Sequence, residues 1–513
     1  FLVCPSSGPS LSSMDFILVR LALNTAMASG RTTPEVMLNS GATALLGGML
    51  SNSNPVVVGP AVMALSQMAH HRACQRSLGL AGVIPPLVLL CFSSQSPVTC
   101  IALAQLSRYI PNKAIVAGKG GVAAMVHLLK DYTREERVTL EVVGRALTVL
   151  VNVVHWSDAN RGLAEECGAA GPILTIMEAM DDESVLKACL ALANMSFCNY
   201  FAALRLLAAG ADDVACDLIR GSNMTRHSDV VEAALVFLAN LANNALNQSH
   251  VGASSAIELA VSACKHCGCP RVVRAGALAL CSMTLKNSAN KTRCASFDAI
   301  PVLLKLGTAW GVADDAGGRY TQMSTVSREG SSASPTTVSA EEEAAAAAQT
   351  IRCVAILAQH PTNALAMKKV GGLKQLIGLI HDTEHNEVVI AGAKAVVVGT
   401  PDPHALVRTF RSGKSPEIEM ASAHQALMRV REWAFGRTSQ TQKFVSRVAF
   451  LLCALAGSIE ARLQKETGVS AFCKRPEEFF AHSEFFEERD TTIPPDVTLA
   501  QDENLGGMHF HIF

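Results

Sequence analysis

A small residue, usually glycine, stands ahead of a short apolar segment at nearly regular intervals along this 513-residue chain. It does so at Gly41, Gly82, Gly121, Gly168, Gly210 and Gly252, then at Asp298 and Gly371. The successive spacings are 41, 39, 47, 42, 42, 46 and 73 residues. A second column keeps the same register: Asn24, Gln67, Gln105, Asn152, Asn194, Asn240, Ser282 and Gln359, each near the end of a further apolar segment. Two columns drifting together over eight units point to internal repetition. A unit of ~42 residues cannot bury its apolar faces alone, so such units must stack in a row.

Within each unit the residues predict three helices. A short first helix carries a polar segment such as Asn247-Gln248-Ser249-His250. The small residue then permits a sharp bend. A second helix follows and ends in a polar turn such as Ser51–Pro55 or Met180–Ser184. A third, longer helix carries the polar column, and its apolar residues recur at i, i+3, i+4 and i+7 between Val230 and Ala242. The last spacing in both columns is long by ~31–35 residues beyond one repeat. The excess falls near residues 308–343, rich in Ser, Gly, Thr and Ala, and reads as a disordered loop inserted at one turn. The acidic, alanine-rich stretch from Glu341 suits the start of the next helix.

These residues resemble the armadillo repeat family. Gly82–Leu90 and Ala299–Leu306 are similar to its Gly-x-Ile-Pro-x-Leu segment, and the runs ending at Asn194 and Asn240 to its third-helix ending. The resemblance spans roughly residues 15–400 and implies an all-α, armadillo-type α-solenoid, a right-handed superhelix of three-helix repeats. The domain reading is a partial repeat or cap over 1–40, about eight repeats over 41–400, a degenerate repeat or helical cap over 401–490, and an extended or disordered tail over 491–513.

Composition narrows the function. Apolar residues make up 49% and charged residues 17%, enough for a core without global disorder. The net charge of −1 argues against nucleic acid as a partner. The sixteen cysteines stand mostly singly in apolar runs, as small buried hydrophobes do, which points to a reducing, intracellular compartment. The cytoplasm is the first expectation, with a cilium, the cytoskeleton or a mitochondrion as alternatives. No transmembrane segment is expected. A start at Phe1 rather than Met suggests a fragment or a processed product.

A polar column on stacked third helices suits the grip of an extended chain, because a side-chain amide offers both a donor and an acceptor to a peptide backbone. The resemblance implies the same role for the column asparagines. The candidate partner-binding residues are Gln67, Gln105, Asn152, Asn194 and Asn240. One pair of helical turns earlier stand Arg145 and Lys187, with Arg352 and, one position off, Arg274. That basic row would favour an acidic partner, as an extended segment or a folded domain. Against both stands the plainer reading of amides that satisfy neighbouring helix ends and of cations on a solvated face. Nuclear-import adaptors of this family place Trp four residues before the Asn. Here those positions are Thr148, Leu190 and Val236, so nuclear-signal binding is not expected.

No catalytic constellation, cofactor motif or metal site emerges, and the chain is not read as an enzyme. His381–His385 matches a zinc-peptidase string but falls at a turn between helices. Cys264, His266, Cys267 and Cys269 cluster without a second cysteine pair. Ser412–Ser415 lacks the earlier glycine of a phosphate loop. Glu478-Phe479-Phe480, repeated as Glu484-Phe485-Phe486, resembles a docking motif for endoplasmic-reticulum contact-site proteins, or else closes the solenoid end. The leading reading is a non-enzymatic scaffold or adaptor. The alternative is a structural subunit of a large assembly, axonemal, cytoskeletal or mitochondrial.

Overall fold

The computed structural model describes residues 42–399, apart from 53, 94–95, 134–138, 156, 180–181, 223–226, 312–338 and 384. Asn24, Gly41, most of the inserted stretch, Ser412–Ser415, the Glu478-Phe479-Phe480 motif and the two C-terminal regions lie outside the described residues. Those described form 23 helices and no strand. From Arg72 onward the helices come in threes.

The third helices form the spine. They are α2 (Pro55–Ala69), α5 (Ser96–Leu106), α8 (Leu140–Val154), α11 (Asp182–Ser196), α14 (Ser228–Ala242), α17 (Pro270–Thr284), α20 (Ala340–Leu357) and α23 (Asn386–Gly399). Each packs on the third helix of the next repeat. Burial on nearly every side explains their composition. In α14, twelve residues from Val230 to Ala242 are buried, among them Phe237, with no exposed surface at all. Burying each such Leu, Val or Phe contributes roughly 1.5–3 kcal/mol, and small Ala positions let the helices approach closely.

The second helices form an outer layer, from α1 (Ala42–Met49) and α4 (Ile84–Leu90) through α7 (Gly121–Thr133), α10 (Ala170–Ala179), α13 (Ala211–Gly221), α16 (Ala256–His266) and α19 (Ala299–Trp310) to α22 (Gly372–Asp382). The first helices are α3 (Arg72–Leu80), α6 (Ile110–Gly118), α9 (Asp158–Glu166), α12 (Tyr200–Ala208), α15 (Ala245–Ala253), α18 (Ser288–Ser296) and α21 (Pro361–Lys369). All seven have nine residues. Their starts are written locally: Ser157, Asn199, Asn244 and Asn287 each accept a backbone N–H of the first turn.

The bend between first and second helices needs a left-handed residue in most repeats. Gly82, Gly168, Gly210 and Gly371 supply it with φ of 65–76°. Asp298 does so with φ 55°, a conformation that Asp tolerates better than most residues. Two sequence assignments shift. The bend residue of the third repeat is Gly120, φ 84°, and Gly121 heads α7. Gly252 lies inside α15, and its repeat turns at Ser254 and Ser255, both with negative φ.

Gly252 has another use. A Cβ there would fall 2.1 Å from Asn290 Nδ2, and one at Gly79 would fall 2.0 Å from Asn112 Oδ1. Both glycines let the next first helix close in.

The inserted stretch is shorter than the sequence suggests. Helix α19 continues through Gly307 to a buried Trp310. Helix α20 starts at Ala340, where Ser339 and Glu342 form a reciprocal capping box. The polar column also moves here. Counted two residues back from the helix end, as Asn152, Asn194, Asn240 and Ser282 are, the seventh position is Ala355, which is buried. Gln359 lies beyond the helix. The corrected interval from Ser282 is 73 residues, matching that from Asp298 to Gly371.

Candidate functional site

The third-helix ladder is in register. Asn240 Nδ2 donates to Ala193 O at 2.8 Å, and Asn194 Nδ2 to Val151 O at 3.3 Å. Asn152 Nδ2 donates to Ala104 O at 3.0 Å and to Ser107 Oγ at 3.2 Å. In all three the acceptor carbonyl belongs to the residue just before the column position of the preceding repeat. The amide donors therefore tie third helices together. The oxygens are used differently. Asn194 also bonds the His155 side chain. Asn152 Oδ1 and Asn240 Oδ1 accept no hydrogen bond among the described residues, and all three asparagines are half-buried. The ladder thus leaves acceptors at Asn152 and Asn240, on amides each anchored by at least one donor.

Gln67 is exposed and Gln105 half-buried, and neither bridges two repeats among the described residues. Gln105 Oε1 is buried with no partner.

The basic row carries its own counter-charges. Arg145 pairs with Glu141 and Lys187 Nζ with Glu183 at 2.6 Å, each one turn along its own helix. Arg271, one turn before Arg274 of the row, reaches Glu232 of the preceding repeat at 2.6 Å, and Arg352 reaches Glu387 of the following one at 3.5 Å. Burial pushes the Glu232 carboxyl up, opposed by the charges of Arg271 and Arg274. Four residues before the column stand Met63, Ile101, Thr148, Leu190, Val236 and Leu278, so this strip of the face is mainly aliphatic. It carries no aromatic slot.

A second ladder, on the first helices, has only one rung noted in the sequence, at Asn247. Asn112, Asn160, Asn247, Asn290 and Asn363 occupy the third position of their helices, and all are buried. Asn112, Asn160, Asn247 and Asn290 donate to a carbonyl at the end of their neighbouring third helix: Leu106, Val153, Leu241 and Met283. Asn112, Asn290 and Asn363 also reach the preceding first helix, at Gln75, Gln248 and Lys291. Its intervals of 48, 87, 43 and 73 residues follow the repeat and were there to be found.

The next position on these helices is polar and buried too: Lys113, Arg161, Gln248 and Lys291. These side chains reach the end of their own repeat's third helix. Lys113 Nζ donates to His155 O at 3.4 Å, the Arg161 guanidinium lies 5.7 Å from the centroid of the Phe197 ring, Gln248 Oε1 accepts from Lys286 N, and Lys291 Nζ donates to Gln359 Oε1 at 2.7 Å. Burial lowers the proton affinity of Lys113 and Lys291. It does the same to His155, helped by the charges of Lys113 and Arg161 and opposed by the Asn194 bond.

The metal-like strings do not assemble as their motifs require. His381 lies in α22 and His385 just ahead of α23, so the two share no helix face. Cys264 is buried in α16 and Cys267 just after it, and burial pushes these thiols up to about 12 and about 11. Among the described residues no group of three or more His, Cys, Asp or Glu side chains is gathered as a metal site requires.

No family model matches the chain, and no curated protein matches it. Solved structures do. An engineered protein from the Northeast Structural Genomics Consortium superposes with a TM-score of 0.67 at 19% identity, covering 86% of this chain and 96% of its own. Two designed armadillo repeat proteins also match over less of the chain. One covers 47% of it, with a TM-score of 0.43 and 19% identity. The other, solved in complex with the peptide (KR)4, covers 45%, with a TM-score of 0.41 and 21% identity. The three-helix repeats, the left-handed bend and the third-helix spine define an all-α solenoid of the armadillo-like repeat class. Among the described residues no single helix is long and apolar enough to cross a membrane.

Proposed function

We propose that the chain is a non-enzymatic protein-binding scaffold that takes an extended segment of a partner along its third-helix face. One observation carries this reading: Asn152, Asn194 and Asn240 stand in register on successive third helices, each clamped through its donor to the repeat before. Extended surfaces of this kind are what stacked repeats offer to partners. Packed helix axes lie roughly 8–10 Å apart, which is two to three residues of an extended chain. The oxygens of Asn152 and Asn240, two repeats apart, would accept backbone N–H groups of the bound segment, whatever its sequence. Selectivity would come from the aliphatic strip beside them.

A displayed library of random peptides, selected on the full chain and on the Asn194→Ala/Asn240→Ala variant, tests the reading. Each replacement removes one inter-repeat hydrogen bond, worth about 1 kcal/mol, so the array stays folded. Enrichment on the parent chain that is lost on the variant, with unfolding midpoints nearly unchanged, is the expected result. Equal enrichment on both chains, or none on either, overturns the groove. Copurification of one stoichiometric assembly by both chains alike would favour the structural-subunit reading.

A further inference from the structure

We propose that Lys113, beside His155 and Arg161, forms a subsite for one anionic side chain of the bound segment, a carboxylate or a phosphate. The inference rests on the groove reading above and adds the charge that the segment must carry.

The cations of the third helices are already committed. Arg145, Lys187, Arg271 and Arg352 each hold a carboxylate of the chain itself. An acidic partner gains little at those positions, because it would have to displace a counter-charge already in place. Lys113 differs. Nine-tenths of its surface is buried, it forms no ion pair among the described residues, and its one hydrogen bond is the 3.4 Å contact to His155 O. An ammonium has three donors, and a buried one with a single long bond is poorly satisfied.

Its neighbourhood is positive. Lys113 and Arg161 both act on the His155 ring by their charge. Arg161 lies over the Phe197 ring, and among the described residues its one ion pair is with Asp158, whose own side chain stays 91% exposed. The cluster also touches the amide ladder, since His155 bonds Asn194, and Asn194 in turn reaches the residue before Asn152. An anion placed there would be held by Lys113 while the segment carrying it lies on the acceptor of Asn152. The corresponding Lys291, four repeats further on, is matched by Gln359 at 2.7 Å, so the same row offers no second open cation there.

The test uses the peptides enriched from the random library on the full chain. They are expected to share one acidic residue, and changing it from Glu to Gln in a synthetic peptide should weaken binding to the parent about tenfold, the scale of one charge-assisted hydrogen bond. On Lys113→Met the same Glu-to-Gln change should cost nothing, while the neutral peptide binds both chains alike. Lys113→Gln, polar and uncharged, repeats the comparison where the methionine disturbs packing. A phosphoserine peptide in place of Glu separates the two anion sources: tighter binding that depends on Lys113 assigns the subsite to phosphate, and weaker binding assigns it to carboxylate. Enriched peptides without a shared acid, or an equal Glu-to-Gln loss on parent and variant, would overturn the subsite and leave the groove standing. A library that enriches nothing would take down the groove, and the subsite with it.

Discussion

Replacing Gly252 with alanine tests how adjacent repeats are locked together. In a helix interior this change ordinarily stabilises by up to about 1 kcal/mol, because Ala is the better helix former. Here the new Cβ would fall 2.1 Å from Nδ2, 2.2 Å from Oδ1 and 2.3 Å from Cγ of Asn290. That side chain cannot stay. It donates to Gln248 O and to Met283 O, both at 2.7 Å, and both bonds are buried. Moving it leaves two buried carbonyls short of a donor, at roughly 1–2 kcal/mol each by the low end of the range for unpaired buried groups. Subtracting the propensity gain, the expected net destabilisation is about 1–3 kcal/mol.

The control is Gly378→Ala in α22, where a Cβ meets nothing within 4 Å, and which should stabilise by roughly 0.5–1 kcal/mol. Urea midpoints give the overall effect. Hydrogen exchange read by mass spectrometry gives the local one, because the loss should appear as faster exchange in α15 and α18 and nowhere near α3. The pair should also couple: with Asn290→Ala already in place, Gly252→Ala should lose its cost and recover the propensity gain. Gly252→Ala matching the stabilisation of Gly378→Ala would refute the close approach, and with it the second ladder as the tie between first helices.

Two further outcomes follow from burial. Asp212 keeps 1% of its side chain exposed, and burial raises its carboxyl above the usual 3.8, with His250 at 3.5 Å opposing the rise. The folded chain therefore holds that proton more tightly than the unfolded chain, and stability falls as pH rises from 3.8 through the folded value; the gain of Asp212→Asn over the parent should grow across that window, and an equal difference in unfolding midpoint at pH 3.5 and pH 7 would refute it. Iodoacetamide at neutral pH should label the exposed Cys198 of the native chain while sparing Cys189, Cys264 and Cys294, whose thiols burial pushes up to about 12; labelling of those three before unfolding, read by peptide mass spectrometry, would contradict their burial.

The repeat itself was legible because its two columns meet different physical needs at the same interval. The bend column needs residues that accept positive φ, and the third-helix column needs a short amide that can reach the preceding helix. Where one need is relaxed, the sequence misleads. The sixth repeat turns at Ser254–Ser255 without a left-handed residue, so the nearest glycine, Gly252, draws the assignment although its role is to admit Asn290. In the seventh repeat Ala355 fills the column, and Gln359, the nearest amide, lies past the helix end beside Lys291. A polar residue at the right distance is therefore weaker evidence than agreement between columns, and the 73-residue glycine interval already contradicted the 77-residue amide one.

The candidate site was legible only in part, because sequence places residues on a face without saying what they already hold. Arg145 and Lys187 read as a row open to an acidic partner, yet Glu141 and Glu183 stand one turn away on the same helices and neutralise them. Asn194 and Asn240 read as donor and acceptor together, yet the stack engages one N–H of each, and His155 engages Asn194 further. What such a face can offer is the remainder after its own helices have been satisfied. In this chain that remainder is the amide oxygens of Asn152 and Asn240 and an aliphatic strip beside them, with one buried ammonium close by, at Lys113 of α6, holding a single long bond. In the proposed groove, the amide oxygens of Asn152 and Asn240 would bind a backbone without regard to side chains and so set affinity. A charge that occurs once must fix register, since only one placement of a singly acidic segment meets it. A solenoid built on a near-identical unit needs such a break in its own symmetry to hold a partner at one position rather than at several.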